Sequence, residues 1–252
     1  MIHSSAIIEN GAKIGKNASI GAFSIVRSNV EIGDNCVVQS HCVLGETGRL
    51  SDAAPLLIGD SALVRSHSIL YSGSEIGRGL QTGHHVTIRE KSKIGQDFQI
   101  GTLGDVQGHC EIGDYVKAHS NVHISNGTTI GNFVWIYPGV VFTNDPNPPS
   151  EQLMGSTIED YVVIAVKATL LPGVKIGKGS LIGAHALVNN DFGDFSVVIG
   201  NPARRLGDVR DLRLRSNSKQ AAYPWPKHFS RGYPSDLIQR WANAEDVYDV
   251  SP

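Results

Sequence analysis

Aliphatic residues recur at every sixth position along most of this 252-residue chain. The series begins at Ile2, Ile8 and Ile14, resumes after each of two slips, and ends at Val188. A period of six is neither the 3.6 of an amphipathic helix nor the 2 of an ordinary strand. Sustained over such a length, it predicts a solenoid with one short strand per hexad and three hexads per triangular coil. The hexads predict roughly ten coils.

Small residues occupy regular places within the hexad. Glycine often follows the aliphatic residue, as in Ile14-Gly15 and Ile176-Gly177, and we expect it at corners that need a positive φ. The three cysteines, Cys36, Cys42 and Cys110, fall at the small inward position and are predicted to fill the core. Their odd number and lack of metal-type spacing fit a reducing compartment.

The bulk composition limits the functional classes. A formal net charge of −2 gives no reason to expect nucleic acid or an anionic membrane as a partner. The N-terminal stretch has no basic region followed by an apolar one, and no apolar window reaches membrane-spanning length. The sequence predicts a soluble cytoplasmic protein.

The two slips locate insertions at residues 46–57 and 143–157. If the three faces are named A, B and C in chain order, with Ala118 on face A, both insertions leave the corner between faces B and C. They lie five coils apart, roughly 24 Å along the axis. The proline-rich second loop is predicted to be a substrate lid.

The periodic pattern predicts a solenoid domain over 1–205, followed by an irregular extension over 206–252. In the extension, Ser235 is predicted to cap a helix over 236–244. The aromatic segment 223–229 is expected to cover the open end of the solenoid or a neighbouring subunit, with a nucleotide base as an alternative contact.

Several histidines share one edge of the predicted solenoid. His41, His67 and His85 occupy the same site of the A-to-B corner in successive coils, and His84 and His119 lie on that corner too. For His41 and His67 the favoured interpretation is a solvated or subunit-contacting corner.

His123 stands apart because it points outward on face B, where Asp105 occupies the same site one coil earlier. Such a carboxylate–imidazole pair can fix the histidine tautomer for proton transfer, although a structural ion pair is an equal alternative. Further polar groups follow on the same face or at nearby corners. They are Asn126, Asn144 and Asp145, together with Tyr137, which is predicted to stack above His119.

Residues 158–205 resemble the closing coils of the hexapeptide-repeat acetyltransferases, through LLPGVKIGKGSLIGA and the later GNPAR. The resemblance implies a left-handed parallel β-helix that forms a homotrimer and binds coenzyme A between two subunits. It places five residues at the coenzyme, the first two through their backbones and the others near its phosphates: Ala165, Ala184, Lys167, Lys178 and Arg204.

The stretches GVVFTNDPNPPS and KAHSNVH resemble enzymes that N-acylate nucleotide-linked amino sugars. The implied reaction moves an acetyl group from acetyl-CoA to the amine of a dTDP- or UDP-linked amino deoxy sugar, for surface polysaccharide or lipopolysaccharide biosynthesis. No metal is implied. From the repeat positions, we predict that the base is His123, held by Asp105, or else His119. The predicted substrate-binding residues are His84, His85, Asn126, Tyr137, Asn144 and Asp145.

Other functions remain open at this point. Sugar O-acetyltransferases of this fold carry a catalytic histidine in the loop, whereas residues 143–157 contain none. A zinc enzyme of the γ-carbonic anhydrase type would need three histidines, for which His85, His119 and His123 are the candidates. The remaining alternatives are a non-catalytic scaffold and a transferase in which the departing thiolate takes the proton.

Overall fold

The computed structural model describes residues 1–49 and 54–252 and confirms a left-handed parallel β-helix of about ten coils. Successive coils contribute short strands to three sheets, which are the faces of a triangular prism. Face B contains β1 (Ile7–Ile8), β4 (Ile25–Val26), β7 (Val43–Glu46), β10 (Ile69–Tyr71), β13 (Thr87–Ile88), β16 (Asp105–Val106), β19 (His123–Ile124), β22 (Val141–Phe142), β25 (Thr169–Leu170) and β28 (Leu187–Val188).

The other two faces follow the same order along the axis. Face C contains β2 (Lys13–Ile14), β5 (Val30–Ile32), β8 (Leu56–Ile58), β11 (Glu75–Ile76), β14 (Lys93–Ile94), β17 (Glu111–Ile112), β20 (Thr129–Ile130), β23 (Thr157–Ile158) and β26 (Lys175–Ile176). Face A contains β3 (Ser19–Ile20), β6 (Val37–Val38), β9 (Leu63–Val64), β12 (Gln81–Thr82), β15 (Gln99–Ile100), β18 (Lys117–Ala118), β21 (Trp135–Ile136), β24 (Val163–Ile164), β27 (Leu181–Ile182), β29 (Ser196–Ile199) and β30 (Arg204–Asp208).

The glycines that follow the aliphatic residues are not the corner residues with a positive φ. The left-handed backbone position is filled mostly by side-chain-bearing residues, such as His41 at φ 61° and Asn121 at φ 57°. Gly15 is needed for another reason, because a Cβ there would lie 2.3 Å from the backbone of Gly33 in the next coil. The expectation that these glycines supply the positive φ was therefore wrong; they permit the close approach of successive coils.

The core is one column of inward side chains. The predicted aliphatic positions are buried, and Cys36, Cys42 and Cys110 are fully buried among them, as predicted. Burial raises the pKa of the Cys110 thiol to about 11, so this group stays protonated at neutral pH.

Both insertions leave the B-to-C corner, as the slips predicted. The first lies between β7 and β8, and its residues 50–53 fall outside the described residues. The second lies between β22 and β23. The start of the second loop is held by Asp145, whose carboxylate accepts hydrogen bonds from the backbone N–H of Asn147 and Ser150.

The C-terminal extension turns back along the solenoid. It contains the hairpin β31 (Arg213–Leu214) and β32 (Asn217–Ala221), the helix α1 (Ser235–Asn243), and short 3₁₀ turns at Val209–Asp211, Trp225–Lys227 and Val247–Asp249. Ser235 is the first helical residue, Pro234 is the N-cap, and no side chain caps the helix, so the predicted Ser235 cap was wrong.

Most of the extension packs against the side of the solenoid, and only one of its strands covers an end. Leu237 and Trp241 of α1 are buried, and Trp241 packs edge-on to Phe133 at the C-to-A corner. The Trp241 indole N–H also donates to the hydroxyl of Tyr161 at 3.1 Å. The expected covering of the open end is limited to β30, which pairs antiparallel with β29, and the predicted boundary at residue 205 falls inside β30.

We expect Phe142→Ala to destabilise the solenoid by about 3–5 kcal/mol, because this ring is fully buried in the core and its loss leaves a cavity. Phe23→Ala is the matched control, since the Phe23 ring is 62% exposed. Urea unfolding followed by circular dichroism measures both. Equal effects of the two substitutions would contradict this assignment of the core.

Candidate functional site

The structure confirms that Asp105 and His123 pair on the outside of face B. Their strands, β16 and β19, are neighbours in register, and His123 Nδ1 lies 3.0 Å from Asp105 Oδ2. The His123 side chain is 39% exposed and that of Asp105 is 31% exposed, so substrate can reach the pair. Because Nδ1 is committed to the carboxylate, Nε2 is the ring nitrogen that is left to accept a proton.

A second group holds Asp105 in place. Burial acts to raise the pKa of Asp105, but hydrogen bonds from His123 and Gln107 and the charges of His123 and Arg89 lower it below its ordinary value. Gln107 Nε2 donates to Asp105 Oδ2 at 2.5 Å. The carboxylate is therefore ionised throughout the neutral range and can orient the imidazole.

Arg89 forms an ion pair with the buried Glu90 close to this site. Its guanidinium donates twice to Glu90, at 2.8 and 3.1 Å, and Glu90 is only 1% exposed. The first loop approaches here, since a Cβ at Gly48 would lie 3.3 Å from the ring of Tyr71. Both loops leave the B-to-C corner, and the first is the one that reaches the coils just before the Asp105–His123 pair.

The three polar residues near the second loop have distinct positions. The Asn144 amide donates to the Asn126 backbone carbonyl at 3.3 Å, so these residues stack in successive coils. The Asp145 carboxylate is occupied by the loop itself and accepts from the Ser150 hydroxyl at 2.6 Å. These contacts give Asp145 a structural function at the loop, whatever else it binds.

His119 lies on the other side of the corner from His123. Its ring stacks on that of Tyr137 at 5.0 Å between centroids, as predicted. Burial lowers the pKa of His119 below its ordinary value, and the charge of Lys117 adds to this effect. His119 is therefore neutral at pH 7 and can accept a proton, although burial makes it a weak base.

A groove of about 930 Å³ runs between face A and the C-terminal extension. It contains three of the predicted site residues, His84, His119 and Tyr137, and none of those on face B. The structure therefore separates His84, His119 and Tyr137 from the Asp105–His123 pair on face B.

The histidine column on the A-to-B corner is confirmed. His41, His67 and His85 stack with centroids 4.9 and 4.7 Å apart and nearly parallel planes, and Phe23 continues the column beyond His41. His85 belongs to this column, whereas its neighbour His84 lines the groove. Burial and the neighbouring histidines lower the pKa of His67, which favours neutral, stacked rings.

Three residues predicted to bind coenzyme A lie on the A-to-B corner: Ala165, Lys167 and Ala184. The Ala165 N–H donates to the Ile182 carbonyl at 2.8 Å, so this backbone group is occupied by the stacking of the coils. Lys167 takes the left-handed corner conformation at φ 56°.

The other two predicted cofactor residues lie elsewhere. Lys178 is at the C-to-A corner, where its Nζ lies 3.2 Å from an Asp249 carboxylate oxygen of the extension. Arg204 begins β30 and donates to the Ala203 carbonyl at 2.7 Å. Within one chain, Lys178 is thus on the opposite edge of face A from Lys167 and is already neutralised.

Sequence reasoning missed Lys117 and Trp135, which are outward residues of face A, and Arg231 of the extension. Trp225 and Phe229, which also line the groove, belong to the aromatic segment 223–229 for which a nucleotide base was an alternative contact. The available signal was a tryptophan at an outward strand position, because such a large apolar surface is usually covered. In the part of the chain that the structure describes, no three His, Cys, Asp or Glu side chains converge as metal ligands.

Comparison with known proteins identifies the repeat. The model for bacterial transferase hexapeptide (six repeats) matches residues 11–46 and 155–190. The acyl-[acyl-carrier-protein]–UDP-N-acetylglucosamine O-acyltransferase of Campylobacter concisus is 28% identical over 223 residues, which cover 84% of this chain and 74% of that protein. The bifunctional protein GlmU of Koribacter versatilis is 26% identical over 85% of this chain, but this chain spans only 42% of GlmU.

A solved structure has the same fold. The Arabidopsis UDP-N-acetylglucosamine acyltransferase superposes with a TM-score of 0.58 at 20% identity, covering 98% of this chain and 91% of that one. The fold is therefore shared over nearly the whole chain. None of the described helices is long and apolar enough to span a membrane.

We expect His119 to make the folded state acid-sensitive. Because its folded pKa lies below the ordinary 6.5, the unfolded chain binds the proton more readily, and stability is lost as the pH falls from 6.5 toward the folded value. His119→Gln should flatten this part of the stability–pH curve, and His3→Gln, at an exposed histidine of the first coil, should leave it unchanged. Urea midpoints at pH 5 to 8 measure the difference, and an unchanged slope in His119→Gln would contradict the assignment.

Proposed function

We propose that this chain, whose residues 11–46 and 155–190 match the bacterial transferase hexapeptide model, transfers an acyl group from a thioester to a nucleotide-linked sugar. The observation that carries the proposal is the outward Asp105–His123 pair, joined at 3.0 Å. The Campylobacter concisus relative is named for a UDP-linked sugar acceptor, which supports this acceptor class.

In its finer form, the proposal is transfer from acetyl-CoA to the amino group of a dTDP- or UDP-linked amino deoxy sugar by a cytoplasmic homotrimer. Two features support the amine as the acceptor. The loop 143–157 contains no histidine, unlike the sugar O-acetyltransferases that the fold resembles. The motifs at 117–123 and 139–150 resemble those of the amino-sugar enzymes.

The chemistry follows from the free Nε2 of His123. The neutral amine attacks the thioester carbonyl and forms a C–N bond, while Nε2 takes one of the amine protons. The tetrahedral intermediate then collapses, the C–S bond breaks, and the thiolate leaves with the electron pair. The imidazolium returns the proton to this sulfur, which gives an amide and a free thiol. The Asp105 carboxylate holds the imidazole through both steps.

The remaining predicted residues have positioning functions in this proposal. The side-chain amides of Asn126 and Asn144 are stacked near the second loop, where they would orient the sugar hydroxyls. His119 is the alternative base on the groove side of the corner, and its neutral state at pH 7 suits that function. Ala184 and Lys167, on the A-to-B corner, would meet the donor.

One alternative is favoured by a specific observation. The Campylobacter concisus relative is named as an O-acyltransferase that takes its acyl group from acyl carrier protein. Because the pantetheine thioester is the same group in both donors, the Asp105–His123 pair would activate a sugar hydroxyl in the same way that it serves an amine.

A two-by-two assay separates these possibilities. Purified protein is mixed with acetyl-CoA or with acyl carrier protein loaded with acetyl or longer chains. Each donor is tested with dTDP- and UDP-linked 3-amino and 4-amino sugars and with UDP-N-acetylglucosamine, and released thiol is followed. We expect thiol release only with an amine acceptor and acetyl-CoA. Release only with the hydroxyl acceptor would overturn the N-acyl form, and no release with any pair would overturn acyl transfer.

Once the donor and acceptor that give turnover are known, we expect His123→Ala to lower kcat by about 10²–10⁴-fold, the usual contribution of a general base. Asp105→Asn should lower kcat by a smaller factor and change the pH profile, because the amide favours the wrong imidazole tautomer. His3→Ala is the matched control in the first coil. Unchanged kcat in both His123→Ala and His119→Ala would instead assign proton uptake to the departing thiolate.

A further inference from the structure

The groove between face A and the C-terminal extension is built by two distant parts of the chain. Its floor is the outward column of face A, where Gln99, Lys117 and Trp135 stack in register on successive coils. Its roof is the aromatic segment of the extension, including Trp225 and Phe229. A volume of about 930 Å³ is within the range of sites that hold a ligand of nucleotide size.

The charged residues that line the groove are all basic. Arg65, Lys117 and Arg231 line it, and none of the lining residues is Asp or Glu. The chain as a whole has a formal net charge of −2, so this concentration of cations is local. A groove with these donors and no carboxylate acceptor suits an anionic ligand, and phosphate is the anion that Arg and Lys together recognise best.

Lys117 is an unusual part of the floor because it is 8% exposed. Within the described residues its ammonium has no hydrogen-bond or ion-pair partner, and it lies 4.6 Å from the ring centre of Tyr233 and 5.6 Å from that of Trp135. Burial lowers the pKa of Lys117, and the charge of Asp97 opposes this shift. A buried ammonium that lies over aromatic rings without an ion-pair partner is stabilised when an anion enters the groove.

The walls add flat aromatic surface. The Trp135 ring meets Trp225 at 5.8 Å and Phe229 at 5.4 Å, both edge-on, and all three rings line the groove. A base that stacks on such a ring gains about 1–3 kcal/mol.

We propose that this groove is a nucleotide-binding site, in which the base stacks against Trp135, Trp225 and Phe229 and the phosphates meet Lys117, Arg65 and Arg231. The site lies within a single chain and depends on the extension. It deepens the proposed function, because the nucleotide is the carrier of the sugar acceptor or the adenine nucleotide of the coenzyme A donor. Both ligands present a base and phosphates, and binding measurements with each nucleotide distinguish them.

Isothermal titration calorimetry of the full chain tests the site without turnover. UDP and dTDP represent the acceptor carrier, and adenosine 3′,5′-bisphosphate represents the donor. We expect one of these classes to bind and inorganic phosphate to bind far more weakly, since it cannot stack. Binding by UDP or dTDP assigns the groove to the acceptor, and binding by the adenine nucleotide assigns it to the donor. If none binds, the proposal is overturned.

Two variants locate the binding in the groove. Trp225→Leu should lower the affinity for the nucleotide by about tenfold or more, because the stacking contact is lost. Arg231→Gln, at an exposed residue that leaves the packing of the extension intact, should weaken it and reduce its salt dependence. Arg215→Gln is the control, because Arg215 is exposed in the hairpin and does not line the groove. Unchanged affinity in both groove variants would overturn the assignment.

The outcome is independent of the acyl-transfer assay. If nucleotide binding is lost in Trp225→Leu and no donor releases thiol, the nucleotide-binding site is supported and acyl transfer is overturned. If thiol is released but the nucleotide affinity is unchanged in Trp225→Leu and Arg231→Gln, acyl transfer is supported and the nucleotide-binding site is overturned.

Discussion

The hydrogen bonds that join each coil to the next are the constraint on which the rest of this structure depends. They hold strands in register, as at Asp105 and His123, so that a residue lies directly above its equivalent in the preceding coil. The close approach also limits residue type, since a side chain at Gly101 would place its Cβ 2.4 Å from the backbone nitrogen of Ser120. Columns of side chains, polar or aromatic, follow from this arrangement.

The parts of the site that obey the repeat could be predicted by counting residues. The six-residue period, corrected for two insertions, brings Asp105 beside His123, Tyr137 over His119 and His67 over His41 without any knowledge of three-dimensional contacts. Such predictions succeed because a solenoid converts sequence separation directly into distance. The same reasoning identified the three cysteines as core residues, and their complete burial agrees.

The parts that lie outside the repeat could not be predicted in this way. The contact between Trp135 and Trp225 joins residues of a strand and of an aperiodic tail, and no spacing encodes it. The tail was expected at an open end because exposed strand edges tend to pair. Its aromatic residues instead pack against an apolar surface along the C-to-A corner. The ion pair of Lys178 with Asp249 could not be predicted for the same reason, since Asp249 belongs to the tail.

The division between repeat and tail also divides the functions we propose. His119 and His123 flank one corner whose backbone is fixed on both sides, because the His119 N–H donates to Ile136 and the His123 N–H donates to Val140 in the next coil. A corner held this way cannot adjust when substrate binds, which suits a proton acceptor that must keep its position. The groove has only one fixed wall, and its other wall is the tail. Ligand selection is therefore the property that can change through the tail while the positions of the reacting groups stay constant.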